Sequence, residues 1–401
     1  MNTPQDVVIL GLSITSSWGN GHATTYRGLV RALAAMGHRV HFLERDVPWY
    51  AENRDLPAPP YCKLSLYRDL EELDGLHAET IRDADLVIVG SYVPDGRAAA
   101  RLALARARGV TAFYDIDTPV TLAALERGEC AYLDRALVGA FDLYLSFTGG
   151  PLLRRIEKDL GSPAARPLYC SADPELHRPS SGAARRWDLG YVGTYSADRQ
   201  PGVERLLLDP ARARPERRFA VAGPQYPGSI VWPGNVERVE HLPPARHAAF
   251  YSAQRYTLNL TRADMIRAGH SPSVRLFEAA ACATPVVSDR WPGLEQFFVP
   301  GKEILLAGSP AEVLAILDGV PEEERRSLGE RARQRVLLEH TGGHRAEAIL
   351  GYLAEARERR AVRRNGVHAR SGANGRNGKQ AAGAAPRPRS DRSSVAYPDQ
   401  D

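Results

Sequence analysis

The sequence predicts an α/β protein with two doubly wound domains, in which parallel strands alternate with helices. Short apolar runs of strand length recur along the chain, and most of them lead into a segment whose apolar residues have helical spacing. The clearest example is residues 271–308, where a helix, a strand, a short helix and another strand follow one another. With 401 residues, 43% of them hydrophobic, the chain has enough apolar material for two cores.

The first half of the chain contains five apolar runs that predict buried strands. Two helices are predicted between them, one from His22 to Met36 and one in the Ala/Arg-rich segment 96–108. Residues 47–80 contain several prolines and aromatic residues, and they predict a long excursion with a short helix at 66–73. The predicted strands are residues 7–14, 39–45, 84–92, 110–117 and 141–150.

The second half of the chain repeats this alternation. An Ala-rich helix is predicted at 273–283, and Pro285 ends it because proline lacks an amide proton and disfavours helix in the residue before it. Residues 261–272 read as a polar loop that leads into this helix. The predicted strands are residues 189–195, 217–223, 235–242, 256–260, 285–289 and 303–307, and the other main helices are residues 242–254, 310–318, 321–340 and 343–360.

Four segments follow from this pattern. Residues 1–175 are predicted to form the first domain, residues 176–186 the linker, and residues 187–360 the second domain. Residues 361–401 are predicted to be a disordered basic tail, because they contain too few large apolar residues to offset the entropy lost on ordering.

The net charge of +4 is concentrated in that tail. The tail holds eight Lys and Arg residues and three Asp residues, a net charge of +5, so the rest of the chain is near −1. Because the chain outside the tail carries no net positive charge, its composition does not indicate a polyanion partner, and we expect no nucleic-acid binding.

The cysteines and the apolar runs predict the compartment. The four cysteines are far apart and form no C-x-x-C pair, which argues against a zinc or redox site and favours the reducing cytoplasm. The first apolar run is short and no basic region precedes it, so it predicts a strand rather than a signal peptide. No apolar stretch approaches the roughly 20 residues that span a bilayer, so no integral membrane segment is predicted.

Two charged residues of the helix 273–283 are candidates for ligand binding. Arg275 and Glu278 lie about one helical turn apart and can face the same side. A carboxylate there could accept protons from ribose hydroxyls, and a guanidinium could hold a phosphate. The alternative is an ordinary ion pair on a solvated face of the helix.

The first domain offers a second group of candidates. Gly19 and Gly21 lie in a loop that opens a helix, so its backbone can approach a ligand closely, although an ordinary turn is the alternative. His22 is a candidate base, because histidine titrates near neutral pH, or it has a surface or capping role. Asp115 and Asp117 end a predicted strand and could bind a metal, act as a base or cap the next helix.

Residues 277–289, FEAAACATPVVSD, resemble the EAMACGTPVV segment of the GT-B glycosyltransferases, which use nucleotide-activated sugars. The resemblance implies two Rossmann-like domains facing each other across a cleft, with Glu278 holding the donor ribose. In the retaining branch of the family a Glu-x7-Glu motif ends at this glutamate. His270 occupies the position of the first glutamate, so the sequence departs from the motif there, and His270 becomes a candidate sugar contact.

Two further features extend the resemblance. The run 261–305 is most similar to the spore-maturation, CgeB-like group of glycosyltransferases. Arg199 falls on the lysine of the VGRLSPEKG loop, which in GT-B enzymes reaches the donor pyrophosphate; the alternative is a surface arginine beside Asp198. Ser273 and Gly21 complete the predicted donor-binding set.

The resemblance implies a glycosyltransferase that moves a sugar from a nucleotide-activated donor to an acceptor hydroxyl. The acceptor, a glycan, protein or small molecule, is expected on the first domain, where His22 and Asp117 are the catalytic candidates. Enzymes of this fold usually need no divalent ion, so neither a metal site nor a cofactor is predicted.

Two other functions stay open at this stage. A catalytically silent GT-B protein that binds a sugar or a partner is one, because His270 replaces the usual glutamate. The other is an NAD-dependent oxidoreductase built on the first domain, with Asp46 near the end of the second predicted strand as its ribose-binding acid. The absence of a complete G-x-G-x-x-G fingerprint argues against the oxidoreductase. Gly19 and Gly21 match its first two glycines, but Thr24 occupies the position of the third.

Overall fold

Two parallel sheets, one in each half of the chain, form the framework of the protein. The computed structural model describes residues 3–180, 182 and 184–374, with side chains described as far as Arg363. Every pairing between neighbouring strands in both sheets is parallel, and helices connect most of the strands. The predicted fold class, two doubly wound Rossmann-like domains, is confirmed.

The first sheet has seven strands in the order β3-β2-β1-β4-β5-β6-β7. Its inner strands are buried on both faces, as their continuous apolar runs predict. The strands are β1 Asp6–Gly11, β2 Arg39–Arg45, β3 Lys63–Tyr67, β4 Leu86–Gly90, β5 Val110–Asp115, β6 Leu143–Ser146 and β7 Ala165–Pro167. The helices are α1 His22–Ala35, α2 Pro48–Ala51, α3 Leu70–Asp83, α4 Gly96–Arg106, α5 Thr118–Glu126, α6 Arg135–Ala140 and α7 Pro151–Leu160.

The second sheet has six strands in the order β10-β9-β8-β11-β12-β13. The strands are β8 Trp187–Val192, β9 Phe219–Ala222, β10 Val236–Val239, β11 Gln254–Asn259, β12 Val286–Ser288 and β13 Leu305–Leu306. The helices are α8 Gln200–Val203, α9 Asp209–Ala213, α10 His247–Ser252, α11 Ala263–Ala268, α12 Val274–Ala281, α13 Pro310–Gly319, α14 Glu322–Glu339 and α15 Gly342–Asn374. A π-helical stretch, Glu204–Leu208, joins α8 to α9, and 3₁₀ turns occupy Pro244–Arg246 and Leu294–Gln296.

Each sheet has a point where the strand order reverses. In the first sheet β1 lies between β2 and β4, and in the second sheet β8 lies between β9 and β11. Connections leave such a point in opposite directions, and this opens a crevice at the carboxyl ends of the two strands. The loops after β1 and β8 are therefore where a ligand is expected.

The clearest differences from the sequence predictions concern three segments. The helix predicted at 66–73 overlaps β3, and the actual helix α3 begins at Leu70, where the Asp69 side chain accepts a hydrogen bond from the Glu72 amide as an N-cap. The predicted polar loop 261–272 contains α11. The last helix, α15, continues past residue 360 to Asn374; the tail predicted from residue 361 otherwise lies outside the described residues.

The chain passes between the two domains at two places. The first is the segment between β7 and β8, and the second is the junction of α14 and α15. Ala172 in the first segment and Thr341 in the second form a parallel β-bridge. Beyond the junction, α15 returns to the first domain, where Arg345 donates to the Tyr169 and Cys170 carbonyls and Tyr352 donates to the Pro167 carbonyl.

Candidate active site

A cavity of about 690 Å³ lies where the carboxyl ends of the two sets of strands face each other. Residues of both domains line it: the loop after β1 and the start of α5 on one side, and the loop after β8, α10 and the start of α12 on the other. The predicted site residues that line it are Gly21, His22, Asp117, Arg199, Ser273, Arg275 and Glu278.

His270 is the predicted site residue that does not line the cavity. Its backbone is pinned, because its amide donates to the Pro292 carbonyl and its own carbonyl accepts from the Gly149 amide. Its ring fits between Gly150 and Gly293, where an added Cβ at either glycine would lie 2.3 Å from a ring atom. His270, which stands where the Glu-x7-Glu motif has its first glutamate, is therefore packed between two glycines and away from the cavity.

Glu278 is held at the cavity wall by α12. Ser273 caps this helix by accepting the Arg275 amide, and the residues around Glu278 on α12 are buried. The carboxylate accepts hydrogen bonds on Oε2 from His247 Nδ1 at 3.2 Å and from the Tyr251 hydroxyl at 3.1 Å. Its Oε1 lies 3.5 Å from His177 Nε2.

Glu278 is ionised despite being only 2% exposed. Burial on its own raises the pKa of this carboxyl, but the attraction of His177 and His247 and the hydrogen bonds from His247 and Tyr251 outweigh it and lower the pKa to about 2. In the described structure Glu278 does not form the intrahelical ion pair with Arg275 that the sequence left open. The side chains of His177 and His247 lie beside its carboxylate instead.

The hydrogen-bond partners of the two histidines fix where their protons lie. His247 Nε2 lies 3.2 Å from the Leu242 carbonyl and Nδ1 faces the Glu278 carboxylate, so both ring nitrogens meet acceptors and both must carry protons. Burial lowers the pKa of His247, but Glu278 more than compensates and raises it. His177 Nδ1 accepts a hydrogen bond from the Asp173 amide at 3.2 Å, so the neutral ring carries its proton on Nε2, which lies 3.5 Å from Glu278 Oε1 without a hydrogen bond to it.

The same three residues form a possible metal-ligand group among the described residues. One side-chain atom from each of His177, His247 and Glu278 lies within 4.8 Å of the others. A metal ligand must present a lone pair, however, and His177 Nε2 is protonated while its Nδ1 accepts a backbone amide. The arrangement fits a carboxylate held by two N–H donors better than it fits a metal centre.

Three guanidinium groups stand around the same side of the cavity. Arg275 is stacked 4.7 Å over the Tyr191 ring, and its Nη1 donates to Asn259 Oδ1 at 2.9 Å. Arg199 Nη2 donates to the Thr194 carbonyl at 2.8 Å, and its buried Nε has no hydrogen-bond partner among the described residues. Arg262 is the third lining arginine.

Asp198 is not the partner of Arg199 that the sequence offered as an alternative. Its carboxylate instead contacts the Arg262 guanidinium at 3.5 Å and accepts the Ser196 hydroxyl. Arg199 and Arg275 therefore bring positive charge to the cavity that no carboxylate in the described structure offsets directly. Planar guanidinium groups in this setting suit phosphate oxygens.

The opposite wall carries a histidine–aspartate pair. His22, the first residue of α1, places its Nε2 3.8 Å from Asp117 Oδ2, and the Tyr92 hydroxyl donates to the same oxygen at 3.2 Å. Burial raises the pKa of Asp117, but its interactions with His22 and the more distant Arg262 lower it overall. Asp117 is the N-cap residue of α5, yet its side chain makes no capping hydrogen bond, so it faces the cavity instead.

Asp115 lies beneath this pair and is fully buried. It accepts the Tyr144 and Thr121 hydroxyls, and burial raises its pKa to about 6. Of these two aspartates, only Asp117 reaches the cavity.

The acidic residues at the end of β2, where a dinucleotide-binding enzyme would bind ribose, interact with other protein groups. Glu44 accepts the hydroxyls of Ser13 and Thr15 and the amides of Ile14 and Thr15. Asp46 pairs with Arg54. Neither carboxylate faces the cavity, which argues against the oxidoreductase alternative.

Sequence reasoning missed four residues of the site. His177 lies in the predicted linker, and His247 and Tyr251 lie on a helix whose sequence shows no ligand motif. Their roles arise from contacts with Glu278 that cross at least 27 residues of chain. Arg262 had a usable signal, since it follows directly after a predicted strand, at the sheet edge where ligands bind.

Part of the second domain matches a sequence-family model. Residues 199–351 match the model of the glycosyl transferase-like family. The comparison with curated protein sequences gives no significant match. Within the described residues we find no helix with the length and apolar composition of a bilayer span.

Solved structures with the same fold cover most of the chain. Sucrose-phosphate synthase from Thermosynechococcus elongatus aligns with a TM-score of 0.62 and 17% identity, over 88% of this chain and 98% of that chain. Anabaena HepE in complex with UDP and glucose aligns with a TM-score of 0.61 and 14% identity, over 88% and 100%. An alpha-glucosyltransferase in complex with UDP and DNA aligns with a TM-score of 0.64 and 10% identity, over the same shares.

Proposed function

We propose that this chain, whose second domain matches the glycosyl transferase-like family model and whose fold is GT-B, is a glycosyltransferase. It transfers a sugar from a nucleotide-activated donor to an acceptor hydroxyl without a metal ion. The donor nucleotide binds on the second domain, and the acceptor binds on the first. The similarity of residues 261–305 to the CgeB-like group supports an assignment to that group.

The observation that carries this proposal is the distribution of charged and polar side chains on the two walls of the cavity between the sheets. One wall combines arginines with an ionised, buried carboxylate, and the other combines a histidine with an aspartate. A nucleoside diphosphate needs a cation for its phosphates and an acceptor for its ribose hydroxyls. An acceptor hydroxyl needs a base.

The residues have separate roles in the proposed reaction. Arg199 and Arg275 stabilise the negative charge that develops on the leaving diphosphate as its bond to the anomeric carbon breaks. Glu278 accepts a hydrogen bond from the donor ribose. In an inverting displacement the acceptor oxygen attacks the anomeric carbon and its proton passes to the pair formed by His22 and Asp117, whose facing atoms are 3.8 Å apart.

UDP is the nucleotide to test first. HepE and the alpha-glucosyltransferase, which share the fold, are in complex with UDP. The cavity of about 690 Å³ falls in the size range of small-molecule sites. We propose a UDP-activated hexose as the donor class.

Calorimetry with purified protein tests the donor assignment. UDP and UDP-glucose should bind, and NAD should not. Incubation with labelled UDP-glucose should release UDP, through transfer to added acceptors or slow hydrolysis, and the rate should be the same with and without EDTA. Binding of NAD in place of UDP would refute the proposal, and loss of turnover in EDTA would refute its metal-independent form.

His22→Ala should lower turnover strongly and leave UDP affinity nearly unchanged. General-base catalysis typically contributes roughly 100- to 10,000-fold to a rate, and His22 lies on the wall opposite the donor residues. The measurement is kcat alongside the Kd for UDP, with His77→Asn on α3 as a histidine control remote from the cavity. A collapse of UDP affinity in His22→Ala would place His22 in the donor site and reverse the domain assignment.

Binding without transfer is a second candidate function. The observation that favours it is the position of His270, whose ring is packed between two glycines and does not line the cavity. A protein of this kind would bind UDP-glucose but release no UDP over many hours. Measurable hydrolysis or transfer by wild-type protein, abolished in His22→Ala, excludes this candidate.

A further inference from the structure

The side chains that hold Glu278 are arranged around only part of its carboxylate. Oε2 receives two donors, His247 and Tyr251, while Oε1 faces a single donor, His177, at the longer distance of 3.5 Å. A carboxylate oxygen can accept more than one hydrogen bond. Oε1 therefore has acceptor capacity left, and Glu278 is one of the residues lining the cavity.

We propose that His247 is a positioning residue for nucleotide binding, which holds Glu278 ionised and turned so that Oε1 meets the donor ribose. His177 supports the carboxylate from its other side. This inference rests on the proposed function, since it assigns the ribose contact of the same site.

The geometry makes His247 specific for this task. Its ring lies on α10 and bridges two acceptors, the Leu242 carbonyl and Glu278 Oε2, both at 3.2 Å. An imidazolium satisfies both acceptors, whereas a neutral ring that donates to Leu242 turns a lone pair toward the carboxylate. The protonated form of His247 is thus the form that orients Glu278.

Binding should therefore depend on the charge of His247. The pKa of His247 is raised, so the imidazolium persists through the ordinary titration range of histidine and is lost only as the pH rises past the elevated pKa. Burial lowers the pKa of His177, so we assign the loss of charge at alkaline pH to His247 and not to His177. The groups that interact with the Glu278–His247 pair are His177, His241, Arg275, Tyr251, Cys170 and Cys282.

Two substitutions at position 247 separate positioning from mere packing. His247→Asn keeps an N–H donor near the place of Nδ1 but has no titratable group, while His247→Leu keeps bulk and removes the donor. Uridine is the probe, because it has the ribose and lacks the phosphates that the arginines would bind. His77→Asn on α3 is the matched control.

The expected result is a pH profile that changes shape. Wild-type protein should lose roughly ten-fold or more of its uridine affinity as the pH rises past the elevated pKa of His247. His247→Asn should bind uridine more weakly than wild type at neutral pH. Its affinity should not fall at alkaline pH in the way expected for wild type and for the His77→Asn control. His247→Leu should be roughly ten- to a hundred-fold weaker than wild type at neutral pH.

Three outcomes would overturn the inference. An unchanged alkaline loss in His247→Asn would assign the titration to another group. Wild-type affinity in a folded His247→Leu variant, checked by its melting temperature, would remove His247 from the site. Stoichiometric zinc in the purified protein would make the cluster a metal centre. Failure of wild-type protein to bind UDP at all would instead refute the proposed function, and the inference with it.

Discussion

Glu278→Gln is expected to weaken the binding of uridine and of UDP by a similar factor, roughly 30- to 1000-fold. His247, His177 and Tyr251 all present donors to this carboxylate, and a glutamine amide group would turn N–H toward one of them. Leaving a buried charged partner unsatisfied costs roughly 2–4 kcal/mol. The similar loss for both ligands is expected because the ribose is common to them.

Calorimetry with uridine and UDP measures this effect directly. Glu330→Gln, an exposed substitution on α14, is the matched control and should leave both affinities unchanged. The melting temperature must be measured as well, because removing one partner of a buried pair also destabilises the fold. A folded Glu278→Gln variant with wild-type affinity for uridine would remove Glu278 from the ribose site.

Arg199→Ala is expected to produce the opposite selectivity. It should weaken UDP binding by roughly 30- to 1000-fold and leave uridine binding nearly unchanged, because the guanidinium meets only the phosphates. Arg199→Lys should retain a substantial part of the affinity, since it keeps the positive charge and loses only the planar fork.

The two variants test separate roles when they are compared with the same two ligands. Arg326→Ala, an exposed arginine on α14 paired with Glu322, is the control for a general charge effect. Equal losses of uridine and UDP binding in both Glu278→Gln and Arg199→Ala would indicate unfolding of the second domain and contradict the division of roles.

The sequence predicted the framework well wherever burial imposes a continuous apolar pattern. The inner strands β1, β4 and β5 are buried along their whole length, so their apolar runs are unambiguous. β3 was missed because it is the edge strand of its sheet and is mostly only partly buried. α11 was missed because its six residues are too few to show helical spacing, and none of them is buried.

Site residues could be predicted from the sequence where the helix or strand that carries them determines their position. Arg275 and Glu278 reach the cavity because helix spacing puts them on one side of α12 near its start, and Asp117 because it follows a strand. The partners that set the charge of Glu278 could not be found in this way. His177 and His247 reach it from a linker and from another helix, and no periodic pattern records such contacts.

The β-bridge between Ala172 and Thr341 has a mechanical consequence. Because the only two chain crossings between the domains are paired at this bridge within the described residues, they form one narrow pivot rather than two separated tethers. An opening of the cavity would then rotate one domain against the other about an axis through the pivot. If UDP binds as proposed, its entry and release would follow the opening angle, on the microsecond to millisecond timescale typical of such rotations.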